Sequence, residues 1–160
     1  MKNKLDIIIR PFTTQDRSMC GELFYQTVHT ICSKDYSKEQ LDIWAPEVSK
    51  SGNFPRPLEN NFAYVSVIDN LIVGFADITK EGYLDRFFVH KDYQGLGIGK
   101  KLLETIEKKA KDIGLKEISL EASSTARPFF AKMGYQVIRK QSKMVKDIKI
   151  ENYKMNKKLA

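Results

Sequence analysis

The sequence predicts an α+β fold with a mixed, mostly antiparallel sheet of about seven strands flanked by about four helices. Strand and helix patterns follow one another in the order β-α-α-β-β-β-α-β-α-β-β. A long helix between two strands predicts a parallel crossover, whereas strands joined by short turns predict antiparallel hairpins. The length of 160 residues suits a single domain over residues 1–160.

The N-terminal part predicts one strand and two helices. Leu5–Arg10 is rich in β-branched residues and predicts a strand that Pro11 ends. Thr13-x-x-Asp16 is typical of a capping box and precedes a helix. The apolar residues of that helix fall on one stripe: Met19, Leu23, Phe24, Val28 and Ile31.

A second, shorter helix is predicted after Ser37-x-x-Gln40, another capping box, and Pro46 ends it. Residues 47–60 contain two prolines and a glycine and predict a loop. Phe62–Ile68 and Leu71–Ile78 then predict a hairpin, because the dipeptide between them, Asp69-Asn70, suits a two-residue turn.

A glycine-rich stretch, Gln94–Lys100, follows the predicted strand Gly82–Val89 and opens a helix pattern running through Lys111. The helix has one apolar face: Ile98, Leu102, Leu103, Ile106, Ala110 and Ile113. The first N–H groups of a helix have no partner within it and carry the positive end of its dipole. Glycine lets a phosphate approach them closely, so the stretch predicts a pyrophosphate site.

The spacing of the glycines excludes the commoner nucleotide loops. A Walker loop needs Ser or Thr after its lysine, and here Lys101 follows Lys100. A Rossmann loop needs G-x-G-x-x-G, and Lys100 stands where its third glycine would fall. The kinase motifs H-R-D and D-F-G are missing from the sequence. What remains is Q-x-x-G-x-G, formed by Gln94, Gly97 and Gly99.

The rest of the chain predicts a strand at Lys116–Ala122, a short helix and two final strands near Tyr135–Met144 and Ile148–Lys157. Ser124 or Thr125 is the expected cap of the short helix, which carries three apolar residues and ends at a glycine. Those residues are Phe129, Phe130, Met133 and Gly134.

Composition excludes several classes of protein. Hydrophobic residues make up 42% and charged residues 29%, as in ordinary globular proteins. Neither a membrane-spanning run nor a signal peptide is evident, so a cytoplasmic location without membrane contact is expected. Two cysteines and two histidines without ligand spacing predict no metal site.

The net charge of +7 is concentrated at the C-terminus. From Arg139 onward there are eight basic and two acidic residues, so this segment carries +6. Such a tail is typical of nucleic-acid binding or of lysines that protect strand edges. The alternation of Val137 with Arg139, and of Ile148 with Ile150, favours strands, so no nucleic-acid partner is expected.

Four blocks, in order, resemble the GNAT superfamily of acyl-CoA N-acetyltransferases. They are Val73–Ala76, Phe88–Lys100, Leu120–Ala126 and Phe129–Tyr135. The resemblance covers nearly the whole chain and implies acetyl transfer from acetyl-CoA to a primary amine of a small molecule or peptide. It also implies direct attack in a ternary complex, and it is compatible with a homodimer. The alternative is a degenerate domain that binds CoA without turnover, as a sensor or interaction module.

The resemblance implies a CoA site between two diverging parallel strands. Pantetheine would bond the exposed backbone of Phe87 and Val89 like an added strand, and a backbone N–H near Val89 would meet the oxyanion. The implied cofactor-binding residues are Phe87, Phe88, Val89, Gln94, Gly95, Leu96, Gly97, Ile98, Gly99, Lys100 and Phe130.

The catalytic groups are less defined. Asp85 and Glu121 are candidates for the base, and period two would place Asp85 on one face with Phe87 and Val89. Where many GNAT enzymes have a proton-donating tyrosine, this chain has Phe130, which cannot donate. Tyr135, Tyr93 or water would then protonate the thiolate, or it would leave unassisted.

The acceptor pocket is expected near the first two helices. The segment Tyr36–Ala45 resembles the corresponding region of a bacterial GNAT subgroup sometimes called YafP-like. Tyr36 and Trp44 would enclose the acceptor, although core packing is an equal alternative for Trp44. His29 lies nearby, and a structural role is the alternative for it.

Overall fold

The computed structural model describes residues 6–160, and Leu5, the first residue of the first predicted strand, lies outside this range. The predicted order of elements is confirmed. The elements are β1 (Ile8–Pro11), α1 (Arg17–Ile31), α2 (Lys38–Trp44), β2 (Phe62–Ile68), β3 (Leu71–Ile78), β4 (Tyr83–Val89), α3 (Ile98–Asp112), β5 (Glu117–Ser123), α4 (Arg127–Lys132), β6 (Gln136–Val145) and β7 (Ile148–Lys158).

The seven strands form one sheet in the order β1-β2-β3-β4-β5-β7-β6. Every neighbouring pair is antiparallel except β4 and β5, which are parallel and joined by α3. The prediction of a mixed sheet with one parallel pair and four flanking helices is therefore confirmed.

The parallel pair separates soon after it forms. β4 and β5 are in register only at Tyr83 with Ser119 and at Leu84 with Leu120. Beyond these residues the strands diverge, and their carboxyl ends leave a V-shaped cleft in the middle of the sheet.

Each face of the sheet has its own apolar core. On one face α3 and α4 contribute Leu102, Leu103, Ile106, Ala110 and Phe130, all buried. On the other face α1 and α2 contribute Cys20, Leu23, Phe24, Val28 and Leu41. The stripe predicted for α3 is buried except for Ile113 at the helix end, which is exposed.

Local sequence patterns explain most element ends. Both residues of the β2–β3 turn, Asp69 and Asn70, have positive φ, as a two-residue hairpin turn requires. Ser37 caps α2 through the N–H of Gln40. The cap predicted for α4 is wrong, because Ser123 Oγ accepts from the N–H of Ala126 while Ser124 N–H donates to the Tyr36 hydroxyl.

A bulge in β4 changes the faces that its side chains occupy. Asp77 of β3 opposes Arg86 and Ile78 opposes Leu84, so Asp85 is an extra residue on β4. A bulge of this kind breaks the alternation of side chains. The prediction that Asp85 shares a face with Phe87 is therefore wrong: Phe87 packs on Phe129 and Phe130, whereas the Asp85 carboxylate lies among arginines.

The basic C-terminal segment forms the hairpin β6–β7, as its alternation predicted. Several of its lysines are paired with carboxylates: Lys140 with Glu151, Lys143 with Glu121, Lys149 with Glu151 and Lys157 with Glu107. Two of these carboxylates, Glu107 and Glu121, lie outside the segment, and they reduce its net charge from +6 to +4.

Candidate active site

A cavity of about 480 Å³ occupies the cleft between β4 and β5. We call its two ends the glycine-loop half and the α1–α2 half. The glycine-loop half is lined by Gln94, Gly95, Gly97, Gly99, Lys100, Phe129 and Phe130. The α1–α2 half is lined by Thr27, Ile31, Cys32, Trp44, Phe88 and Glu121. Phe87 and Val89 lie between the halves, on β4.

The glycine loop leaves the start of α3 bare. Gly95 and Gly97 have φ of 74° and 84°, a conformation that side chains rarely adopt, and a Cβ at either residue would meet no atom within 4 Å. The first backbone hydrogen bond of the helix is donated by Lys101 N–H to Gly97 O, at 3.1 Å. The N–H groups of residues 98–100 therefore point out of the helix end toward open space, and this arrangement fits a pyrophosphate.

Gly99 is small for a different reason. A Cβ there would lie 3.2 Å from the ring of Phe129, closer than side chains normally approach. Phe129 in turn stacks on Phe87, with ring centroids 5.5 Å apart. This glycine brings α3 and α4 together beside the cleft, so the three predicted glycines serve two functions.

The end of β4 presents backbone groups to the cleft. His90 N–H donates to Val73 O on β3, so the alternation of an antiparallel ladder directs the backbone of Val89 away from β3. Val89 O accepts from Thr27 Oγ1 at 3.0 Å and from Gln94 Nε2 at 2.7 Å. Because the Val89 carbonyl already accepts two hydrogen bonds, the N–H is the backbone group of Val89 that remains for a ligand.

The two lysines of the loop differ. Lys100 lines the cavity. Lys101 Nζ instead donates to Ile7 O at 2.7 Å, which ties α3 to the first strand. Leu96 is half exposed and its side chain does not line the cavity, so only its backbone belongs to the loop.

Asp85 lies at the base of the cleft, but its carboxylate is occupied. Arg56 binds it through Nε at 2.7 Å and Nη2 at 2.8 Å, and only 4% of the Asp85 side chain is exposed. Burial raises the pKa of Asp85, but the hydrogen bond from Arg56 and the charges of Arg86 and Arg56 outweigh it and hold the pKa below its usual value. Asp85 is consequently a weak base.

Glu121 lines the cavity on β5 and is more open, with 26% of its side chain exposed. Its Oε2 accepts from Lys143 Nζ and, at 3.4 Å, from Asn152 Nδ2. Burial raises the pKa of Glu121, but the hydrogen bond and charge of Lys143, with smaller contributions from Gln141 and Asn152, hold it below its usual value. Glu121 is thus ionised and within reach of a ligand.

The two aromatic candidates on the α4 side are both buried. Phe130 lines the cavity and packs against Phe87, Phe129 and Tyr135. The Tyr135 hydroxyl donates to Glu107 at 3.0 Å and is not part of the cavity wall. Burial and the charge of Glu107 raise the pKa of Tyr135. The structure therefore separates Tyr135 from the cleft, because its hydroxyl is turned toward α3.

Of the three residues expected to contact the acceptor, only Trp44 lines the cavity. His29 Nε2 lies 2.8 Å from Ala45 O and fixes the end of α2 to α1. Tyr36 is buried, and its hydroxyl donates to Glu151 O and accepts from Ser124 N–H, both at 2.8 Å. Tyr36 thus holds the α1–α2 connection against the ends of β5 and β7.

Among the residues that sequence reasoning missed are Thr27 and Cys32 in the cavity wall, and Arg56 and Lys143, which pair with the two carboxylates. None belongs to a local motif, since each reaches the cleft from another element. Burial raises the pKa of the Cys32 thiol to about 11, so this side chain is neutral and behaves as an apolar wall.

Within residues 6–160, no group of three or more His, Cys, Asp or Glu side chains is arranged to hold a metal ion. In the same range, no helix combines the length and apolar character needed to cross a bilayer.

The fold and the cleft are those of an acetyltransferase family. Residues 32–158 match the family described as "Acetyltransferase (GNAT) domain", and the chain belongs to this family. It is 29% identical over 136 residues to the "Uncharacterized N-acetyltransferase YafP" of Escherichia coli (strain K12), covering 85% of each chain.

Two solved structures are similar over almost their whole length. The "GCN5-Related N-acetyltransferase: Aminotransferase, Class-II" of Rhodopseudomonas palustris superposes with a TM-score of 0.91 at 26% identity, over 99% of both chains. The PaiA N-acetyltransferase of Thermoplasma acidophilum, in complex with coenzyme A, superposes with a TM-score of 0.75 at 23% identity. The match covers 96% of this chain and 99% of PaiA.

Proposed function

We propose that this protein transfers an acetyl group from acetyl-CoA to a primary amine by direct attack within a ternary complex. The observation that carries the proposal is the bare N-terminus of α3, which opens into the same cavity as the unpaired backbone of β4. The CoA bound to PaiA, which shares this fold, supports it.

The glycine-loop half would bind the cosubstrate. The N–H groups of residues 98–100, with the helix dipole, suit the pyrophosphate, and Lys100 adds a positive charge at the cavity wall. The backbone of Phe87 is available to pantetheine in the way a neighbouring strand would use it, which leaves the Val89 N–H for the thioester oxygen.

The reaction develops negative charge at two atoms, the thioester oxygen and the sulfur. The amine nitrogen forms a bond to the thioester carbon, and the Val89 N–H would donate to the oxyanion that develops there. The C–S bond then breaks and CoA leaves as a thiolate. Thiolates are stable enough to leave without an acid, which is consistent with Phe130 in the cavity wall.

An acceptor that binds as an ammonium ion loses two protons, one to water before its lone pair can attack and one from the tetrahedral adduct. Glu121 is the ionised carboxylate with an exposed surface in the cavity, so we assign it the role of binding the amine and receiving the second proton directly or through water. Its lowered pKa makes it a weak base for a free ammonium ion. The tetrahedral adduct is a stronger acid than the free ammonium ion, so a weak base is sufficient for it.

A domain that binds CoA without turnover is the second candidate. Phe130 in place of a proton donor and the ion pairing of both Asp85 and Glu121 favour it.

We further propose that the chain is one domain. A cytoplasmic location, a homodimer and the lack of a nucleic-acid partner remain predictions.

The test combines binding with turnover. Calorimetry with acetyl-CoA should give 1:1 binding, and incubation with a panel of primary amines should give acetylated product detectable by mass spectrometry. Binding without any product would favour the non-catalytic alternative, and lack of both heat and thermal stabilisation would overturn the proposal.

A further inference from the structure

The α1–α2 half of the cavity is flanked by two carboxylates, and only one of them is available to a ligand. Asp85 is bound bidentately by Arg56, and its side chain is 4% exposed. Arg86 also approaches it at 3.4 Å, but this arginine is held by Asp77 through contacts of 3.1 and 2.7 Å. Arg56 is therefore the main partner that neutralises Asp85.

Arg56 is held in place by the segment around it. Phe54, two residues earlier, packs against Phe24 and Phe75 with ring centroids 5.4 and 6.1 Å away. Leu58, two residues later, is buried, and prolines flank Arg56 on both sides. The backbone on both sides of Arg56 is thus fixed by packing. The guanidinium lies between Asp85 and the solvent.

Glu121 is held more loosely. Its hydrogen bonds from Lys143 and Asn152 both end on Oε2, and 26% of the Glu121 side chain is exposed to the cavity. The Lys143 side chain is about half exposed. Arg56 is also exposed, at 68%, but it binds both oxygens of a carboxylate that is itself only 4% exposed. Lys143 makes a single contact with a more open carboxylate, and exposed pairs of this kind are weak, so a ligand ammonium can share Glu121 or displace the lysine.

The wall opposite Glu121 is apolar. Ile31, Cys32 and Trp44 line it from α1 and α2, and Phe88 extends it on β4. The hydroxyl that α1 contributes to the cavity, that of Thr27, donates to Val89 O. Among residues 6–160, α1 and α2 contribute no charged side chain to the cavity lining.

We propose that the acceptor is a monoamine with a compact apolar body, whose ammonium nitrogen binds Glu121 while its body packs against Ile31, Trp44 and Phe88. Arg56 acts as a positioning residue that enforces this choice by keeping Asp85 from binding a second cation. The inference rests on the proposed function and adds the class of acceptor to it.

The first test compares two acceptors of similar length with the wild-type enzyme and acetyl-CoA. We expect kcat/KM for 2-phenylethylamine to exceed that for 1,5-diaminopentane by about tenfold or more, because a phenyl ring gains from burial and a second ammonium does not. Equal values, or a preference for the diamine, would overturn the inference while leaving acetyl transfer intact.

The second test removes the arginine. Arg56→Ala should raise kcat/KM for 1,5-diaminopentane by about tenfold, because it frees a second carboxylate. The ratio of the kcat/KM values for 2-phenylethylamine and the diamine should fall by a similar factor. The acidic limb of the diamine's pH–rate profile should move to higher pH, because losing the Arg56 contact raises the pKa of Asp85.

Arg17→Ala is the matched control for this variant. Arg17 Nη2 donates to both oxygens of Glu59, at the equally short distances of 2.7 and 2.8 Å, and Arg17 does not line the cavity. It should leave the preference between the two amines unchanged. An equal gain with Arg17→Ala, or no gain with Arg56→Ala, would contradict the role of Arg56.

A binding measurement separates this inference from the proposed function. Calorimetry of 2-phenylethylamine into the protein saturated with CoA needs no turnover, and Glu121→Gln should weaken the affinity by about tenfold. Glu117→Gln, on the same strand and also exposed, is the control and should change nothing. If no amine is acetylated, the proposed function fails, and equal affinity of the wild type and Glu121→Gln would independently overturn the acceptor assignment.

Discussion

The two halves of the cleft are built in different ways. The glycine-loop half consists of backbone groups and rings supplied by one continuous stretch and the elements beside it. The α1–α2 half consists of side chains from α1, α2, β4 and β5, flanked by charged partners from the 52–57 segment and β6. A site made of backbone can be recognised from local sequence, whereas a site made of converging side chains depends on the completed fold.

The largest expected effect tests the backbone character of the glycine-loop half. Gly97→Asp should reduce the affinity for CoA by about a hundredfold or more, because it places a carboxylate beside the pyrophosphate and opposes the φ of 84°. Calorimetry with CoA measures the loss, and a melting curve of the free protein checks the fold.

Gly114→Asp is the matched control for that change. Gly114 follows α3 with φ of 85°, and a Cβ added there would likewise meet no atom within 4 Å, so the substitution carries similar backbone strain away from the cleft. It should keep the affinity of the wild type. Comparable loss in both variants would mean that strain alone, and not charge at the loop, weakens binding.

The second prediction concerns the ion pairs beneath the α1–α2 half. Asp77 is fully buried and accepts from Arg86 and from Asn61. Asp77→Asn should lower the free energy of unfolding by about 3 kcal/mol, because it leaves a buried arginine without its main counter-charge. Denaturant unfolding measures this change in the free energy of unfolding. The affinity for CoA should be unaffected, because the glycine-loop half does not rest on this ion pair.

Glu59→Gln provides the comparison for a surface pair. It disrupts the Arg17–Glu59 contact, in which both side chains are about one-third exposed. We expect a change below about 1 kcal/mol. If Asp77→Asn and Glu59→Gln unfolded at the same denaturant concentration, the buried pair of Asp77 and Arg86 would contribute no more to stability than the surface pair. The prediction for Asp77→Asn would then be wrong.

The fold and the glycine-loop half were predicted in detail because their determinants are local. The turn at Asp69 and Asn70, the cap at Ser37 and the apolar stripe of α3 each appear within a few neighbouring residues. The Q-x-x-G-x-G pattern was informative for the same reason, although the neighbour that constrains Gly99 in the fold is Phe129.

The α1–α2 half was predicted less well because its determinants are distant in sequence. The alternation of side chains along a strand predicted that Asp85 shares a face with Phe87. The bulge opposite Asp77 instead gives β4 an extra residue and turns the Asp85 carboxylate toward Arg56, 29 residues earlier. Glu121 likewise meets Lys143, 22 residues later. Pairings at such separations follow from strand register and loop path, which no short sequence pattern encodes.

The smallest expected effect asks whether the glycine-loop half lacks a proton donor. Phe130→Tyr adds a hydroxyl to a ring in the cavity wall, at the position where the resemblance to the family implies a proton-donating tyrosine. We expect kcat to rise by about tenfold, since a general acid would then protonate the leaving thiolate, with the affinity for CoA unchanged. Phe129→Tyr, which changes the neighbouring ring against Gly99, should give no such increase. A kcat equal to that of the wild type would show that the thiolate leaves unassisted, so the step that limits turnover would lie with the amine and the α1–α2 half.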